Sequence, residues 1–200
     1  KNAKGEFHTW VQSLTEDQVL AVRPQETPLL DIAFSEGEGN KTKASFLGKQ
    51  TTIPLSDSTS WLPGPSGMSA ALLNGKAVEL PSVGDFEHNQ AFTISCWVKP
   101  PKEDGNKHFA IASRMDESNA HRGWDLWVDD RRVGMHLIHK WPEDALKVVA
   151  KKPLKPDVWT LVTLSYNGSG NVGGIKIYYD GVVQQNPQNA INKFKKNTTR

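Results

Sequence analysis

The sequence predicts an all-β fold, an antiparallel sandwich or barrel preceded by a short helical arm. Between residues 76 and 184, short runs of alternating apolar and polar residues follow one another with almost no helical periodicity between them. Gly, Pro, Asn and Asp punctuate these runs at the spacing of turns. One turn is explicit: in "YYDGVV", Asp180-Gly181 supplies the positive φ angles of a type I′ hairpin.

Taken in order, Phe7, Trp10, Val11 and Leu14 follow the i, i+3, i+4, i+7 spacing of one helical face, which predicts an arm or linker over residues 1–23. "SLTE" at 13–16 has the form of a capping box. Pro24 and Pro28 end that pattern, and 24–200 reads as a single β domain. Residues 35–70, rich in Ser, Thr, Gly, Lys and Pro, read as a long loop with at most short strands. The strand candidates then follow as "KAVEL", "AFTISCWVKP", "FAIASR", "GWDLWV", "VGMHLI", "LKVVA", "WTLVTLSY" and "GIKIYYD", with "DGVVQ" turning back from the last. Cys96, the one cysteine, sits in an alternating run as a buried, inert thiol and has no internal partner for a disulfide.

Composition narrows the function classes. With 37% hydrophobic and 23% charged residues, the chain is that of an ordinary globular protein. Its 24 basic and 22 acidic side chains leave a net charge of +2, too small to indicate a nucleic-acid partner. Lys193, Lys195, Lys196 and Arg200 read as a solvated basic terminus. No apolar run reaches the roughly 18 residues of a membrane span. "KNAKGEFHTW" has neither an initiator methionine nor a signal peptide, and reads as a cut from something longer.

The stretch "RGWDLWVDDRRVGMHLIHKWP" carries the candidate site. If Asp130 and Arg131 make a hairpin turn, Val128 faces Val133, Leu126 faces Met135 and Trp124 faces Leu137 on a core side. The other side then carries Trp127 across from Gly134, and Asp125 across from His136. An indole can stack on the apolar face of a sugar ring while Asp and His bind hydroxyls. The competing reading is structural: Trp127 covers bare backbone and Asp125 pairs with His136, stabilising the sheet by roughly 0.2 to 1 kcal/mol.

The runs "AFTISCWVKP", "IASRMDESNAHRGWDLWVDDRRVGMHLIHKWPEDALKVVAKKPLKPDVWTLVTLSYNGSG" and "GIKIYYDGVV" resemble the LamG-like jelly roll of the concanavalin A-like lectin/glucanase superfamily. Trp159 and Tyr166-Asn167-Gly168-Ser169 stand where that family carries a "W…YDGS" pattern, with Thr160 and Asn167 departing from it. "RGWDLW…HLI…WP" more narrowly resembles a module of large planctomycetal proteins that also carry a cytochrome-c-like domain. The resemblance spans 29–185 and implies a concanavalin A-like antiparallel β-sandwich in an extracytoplasmic, larger protein. It also implies closing strands beyond those visible here. No C-x-x-C-H motif occurs, so no haem belongs to this chain; an enzymatic or redox activity would belong to the parent protein.

The superfamily includes retaining glycoside hydrolases, which need two carboxylates about 5 to 5.5 Å apart. The E-x-D-x-x-E strand pattern of its laminarinase-like members is absent, and Trp127 occupies the i+2 position after Asp125. There is no nucleophile elbow and no zinc spacing. Calcium, bound by many relatives, has oxygen donors available at Asp116, Glu117 and Asn119, and at Glu36, Glu38 and Asn40, although neither set matches an EF-hand loop. The sequons at Asn167 and Asn197 are discounted because the resemblance is to bacterial proteins. The expectation is a non-catalytic module binding a polysaccharide or glycan through Asp125, Trp127 and His136. Docking to another domain of the parent or to a partner protein is the alternative, and a glycoside hydrolase the third.

Overall fold

Strands dominate the computed structural model, which describes residues 27–73, 75–80, 83–102, 108–184, 188–195 and 197–199, together with Thr9, 13–15 and Gln18. The chain falls into two units, residues 1–62 with 69–78 and residues 63–68 with 79–200.

In the first unit β1 (Leu30–Ile32), β2 (Lys41–Phe46) and β3 (Lys49–Pro54) form a sheet in that order, and β4 (Ser60–Pro63) pairs with β5 (Ser69–Leu72). β2 and β3 turn tightly at Leu47 and Gly48, both at positive φ. The segment read as a loop with at most short strands thus holds two six-residue strands. The buried positions of these two strands are Thr42, Ala44 and Ile53, with a single large apolar side chain among them, which leaves a weak apolar alternation. Thr42 accepts a hydrogen bond from Phe34 N at 2.9 Å, so its hydroxyl is satisfied inside. Trp61 Nε1 donates to Gly39 O at 3.0 Å.

The second unit holds β6 (Phe92–Val98), β7 (His108–Asp116), β8 (Arg122–Asp129), β9 (Arg132–Lys140), β10 (Asp144–Val149), β11 (Thr160–Tyr166), β12 (Ile175–Tyr179), β13 (Val182–Val183) and β14 (Gln188–Asn192). They form a five-stranded sheet, β14-β10-β9-β8-β7, and a four-stranded sheet, β13-β12-β11-β6. The strand ladders β1–β2, β2–β3, β6–β11, β7–β8, β8–β9, β9–β10, β10–β14, β11–β12 and β12–β13 are antiparallel. Leu126, Val128, Val133, Met135, Leu137, Leu146 and Val148 from the first pack with Phe92, Val98, Val162, Leu164, Tyr166 and Ile177 from the second. Alternation along each strand puts every second side chain in this core, and the predicted β-sandwich follows. Phe86 stacks on Phe92 at 4.3 Å, and Trp124 Nε1 reaches Gly84 O at 2.7 Å, so the buried indole keeps a partner.

The two predicted tight turns form. Asp130 and Arg131 have φ of 45 and 61 degrees, and Asp180 and Gly181 of 49 and 75 degrees. Cys96 packs against the core, and burial pushes its thiol up to about 12. The candidate "KAVEL" is not a strand; Lys76 N turns back to Leu73 O at 2.9 Å and the following Pro81 has no N–H for a ladder. The helical arm expected over 1–23 falls largely on residues outside those described, including Phe7, Trp10 and Val11, and no α-helix is delimited among the described residues. A reciprocal cap is present there, but between Thr15 and Gln18: Thr15 N donates to Gln18 Oε1 at 2.9 Å and Gln18 N to Thr15 Oγ1 at 3.3 Å. The sequence reading placed that box at 13–16.

β14 was not foreseen. It lines the β10 edge, and the chain after it is held by two carboxylates. Asp144 accepts from Lys195 N and Asn197 Nδ2, each at 2.6 Å. Glu87 accepts from Thr198 Oγ1 at 2.6 Å, Thr199 N at 2.8 Å, and His88 N at 2.8 Å. Partial burial pulls the Glu87 pKa upward, but these donors outweigh it and hold the carboxyl well below the ordinary carboxylate range. Among the described residues no helix is long and apolar enough to cross a membrane.

Two measurements check this packing. A Cβ at position 123 would lie 2.0 Å from Arg114 O at a φ of +126 degrees, so Gly123→Ala is expected to cost about 3 kcal/mol or more in a urea melt. Glu87→Gln is expected to lose about 2 kcal/mol at neutral pH, since hydrogen bonds to a charged group are the strong ones. A depressed carboxyl contributes stability above its unfolded pKa, near 4.5, and that contribution is lost as pH falls towards the lower folded value. The stability difference between wild type and Glu87→Gln should therefore shrink as the pH drops below that of the free side chain.

Candidate functional site

The β8–β9 hairpin presents the three predicted residues together. Its register pairs Val128 with Val133, Leu126 with Met135, Trp124 with Leu137, Trp127 with Gly134 and Asp125 with His136. The outward row across the sheet runs Ser113, Asp125, His136, Lys147, Ile191. Asp125 Oδ1 takes two hydrogen bonds from one residue, His136 Nδ1 at 2.9 Å and His136 N at 3.0 Å. Both side chains are half-buried, 17% exposed each.

Trp127 fits because residue 134 has no side chain. A Cβ there would lie 2.2 Å from Trp127 Cζ2, so the indole occupies the space over the strand. His136 stacks on Trp127 with centroids 5.1 Å apart and planes 22 degrees apart. Trp141 meets the imidazole edge-on at 4.8 Å, and Lys147 Nζ stands 5.4 Å from the Trp127 ring centroid, within cation–π range. Trp141 is anchored by its own N–H, which donates to Ala120 O at 3.0 Å. Ile138, Ala145 and Val149, on the same outward face, are closed off from solvent and form its floor.

Two buried ring nitrogens, Trp127 Nε1 and His136 Nε2, have no hydrogen-bond partner among the described residues. Their chemistry is complementary. The Asp125 carboxylate accepts from His136 Nδ1–H, so in the neutral imidazole Nε2 is left with its lone pair, an acceptor. The indole Nε1–H can only donate. A hydroxyl group, which both donates and accepts, matches the two together.

The calcium candidates are arranged differently. Asp116 Oδ1 accepts from Ser118 N at 3.1 Å and Ser118 Oγ at 2.6 Å, closing a turn; these bonds, the hydroxyl first, hold its carboxyl below its ordinary pKa. Glu117 and Asn119 lie on the exposed side of that turn. Glu36 faces Lys43 N at 2.6 Å, and Asn40 Nδ2 donates to Asp57 Oδ1 at 2.9 Å. Among the described residues no group of three His, Cys, Asp or Glu side chains gathers as a metal site.

A carboxylate pair is not assembled around Asp125 either. Asp129, on the same face four residues on, lies about 13 Å away along the strand and is held by His108 at 2.9 Å. Trp141 and Lys147 were not singled out as site residues from sequence. The one signal was "HKWPEDALK", where a tryptophan and a lysine flank the turn into the next strand; the register that brings them to His136 is set by an irregularity between Asp144 and Ala145.

A family model for the concanavalin A-like lectin/glucanases superfamily matches residues 73–200. The chain belongs to that superfamily. No curated protein matches the sequence. Nineteen chains of solved structures match the fold. One, described as "Crystal structure of HCR/D-Sa-GBL1/C", is 14% identical, with a TM-score of 0.50 over 84% of this chain and 41% of its own. This chain thus spans about two fifths of that neighbour's length, and the likeness is one of fold. The superfamily holds lectins and glucanases alike, so the residues themselves must argue the function.

Filling the space over residue 134 tests the geometry. Gly134→Ala is expected to displace the Trp127 indole, with a changed tryptophan near-ultraviolet spectrum and a loss of about 2 kcal/mol by chemical denaturation. An unchanged spectrum would show that the ring does not lie on Gly134.

Proposed function

We propose that the chain is a non-catalytic carbohydrate-binding module of a larger extracytoplasmic protein, with its site at Asp125, Trp127 and His136. The observation that carries this reading is the complementary pair of unpartnered ring nitrogens, Trp127 Nε1 and His136 Nε2, set among aromatic rings. Burying such groups without partners costs roughly 1 to 3 kcal/mol each, and a sugar hydroxyl recovers that cost on binding. Aromatic rings beside hydrogen-bonding nitrogens and a carboxylate are the chemistry of sugar recognition, one face apolar and the edge polar. Both nitrogens are closed off from solvent, so a hydroxyl enters as a neighbouring side chain moves, and the long, flexible Lys147 stands beside the indole. The non-catalytic reading draws on the spacing of the two outward carboxylates of β8, Asp125 and Asp129, which stand about 13 Å apart along the strand rather than the roughly 5 Å of a retaining pair. Location outside the cytoplasm and membership of a larger protein are supported by the resemblance of the central stretch alone.

A second reading, docking onto another protein domain, is favoured by one observation. Trp127 already carries His136 on its ring and Lys147 beside it, so little of its face is free for stacking.

The two readings part in one experiment. Oligosaccharide arrays followed by calorimetry on wild type and Trp127→Phe, which keeps a ring and removes Nε1–H, should give saturable binding weakened at least tenfold in the variant. A folded wild-type protein that binds no oligosaccharide would reject carbohydrate recognition and leave docking in place.

A further inference from the structure

We infer that the ligand of this site is an acidic glycan, one carrying carboxylate or sulfate groups, with Lys147 as the residue that selects the charge. The inference rests on the carbohydrate reading above and adds to it the sign of the ligand's charge.

On the outward face of the five-stranded sheet the carboxylates of β8 are hydrogen-bonded and, among the described residues, the ammonium of Lys147 is not. Two carboxylates point outward along β8, and each is engaged by a histidine: Asp125 by His136 and Asp129 by His108, both at 2.9 Å. Asp125 Oδ1 is further occupied by the His136 backbone N–H. Lys147 stands differently. It shares the cross-strand row of His136, and its ammonium lies by the Trp127 ring; among the described residues no carboxylate forms an ion pair with it. An aromatic ring stabilises a cation without neutralising it, so the charge remains available to a ligand.

The donors left over therefore outnumber the acceptors. Trp127 Nε1 offers one N–H and Lys147 three, while the acceptors left over are the His136 Nε2 lone pair and the second oxygen of Asp125, whose Oδ1 takes both bonds from His136. A neutral sugar hydroxyl satisfies the two ring nitrogens and leaves the ammonium with nothing but the indole. A carboxylate or sulfate ester supplies acceptor oxygens to Lys147 through charge-assisted hydrogen bonds, about twice as strong as neutral ones, while a neighbouring hydroxyl meets the ring nitrogens.

The test uses a panel of uronate-containing and sulfated oligosaccharides, each paired with its methyl-esterified or desulfated form, titrated into the full chain. The expected result is that an acidic member binds at least tenfold more tightly than its neutral partner, with the preference falling as salt is added. Lys147→Gln should reduce that ratio towards one, and Lys147→Arg should keep it. Neutral partners binding as well as the acidic ones would overturn the acidic selection while leaving carbohydrate recognition intact. An acidic preference unchanged in Lys147→Gln would overturn the assignment to this residue. Failure of every member to bind the folded protein would overturn both.

Discussion

Asp130 and Arg131 occupy the left-handed region of backbone space between β8 and β9, and that two-residue turn sets how the hairpin's side chains are divided between the faces. Side chains alternate with a period of two, so a slip of one residue would send Leu126, Val128, Met135 and Leu137 into solvent and bring Asp125 and His136 against the core. The core and the site are therefore consequences of one register. The left-handed conformation is uncommon for residues with a side chain, and aspartate is among those that tolerate it better. The apolar content of the inward face then holds the turn in place, because no other pairing buries it.

The same alternation explains what the sequence made legible. From β6 to β12 most buried positions are large and apolar, and the strand runs were visible as such; the hairpin's partners could be named pair by pair. β2 and β3 were not, because their buried positions are Thr42, Ala44 and Ile53 among lysines, threonines and glutamine. β14 reads "QNAIN", a polar segment that is a strand because the β10 edge offers it hydrogen bonds. "KAVEL" shows the converse, an alternating run that joins no ladder among the described residues. At the candidate site Asp125, Trp127 and His136 came from one hairpin and could be placed from its turn. Trp141 comes from the next turn and Lys147 from the strand after it, where an irregular pairing shifts the count.

Two kinds of buried polar group are set against each other in the second unit. Glu87 and Asp144 are surrounded by donors from the chain's final segment and are fully used in holding it. The ring nitrogens of Trp127 and His136 are left without partners. Low dielectric makes both matter: it strengthens the satisfied carboxylates and raises the cost of the orphaned nitrogens. The first arrangement is what closure of a sheet edge requires, whereas the second contributes nothing to folding and is better suited to an external occupant.

The bare α-carbon of Gly134 and the indole of Trp127 share a single volume, since a methyl group on one would overlap the other. In evolutionary terms the two positions make one choice. A chain of this fold that gained a side chain at 134 would have to give up the tryptophan at 127, and with it the ring on which His136 stacks. Positions 127 and 134 should thus vary jointly among related sequences, and a relative with a bulky residue at the second would have had to build its recognition surface elsewhere.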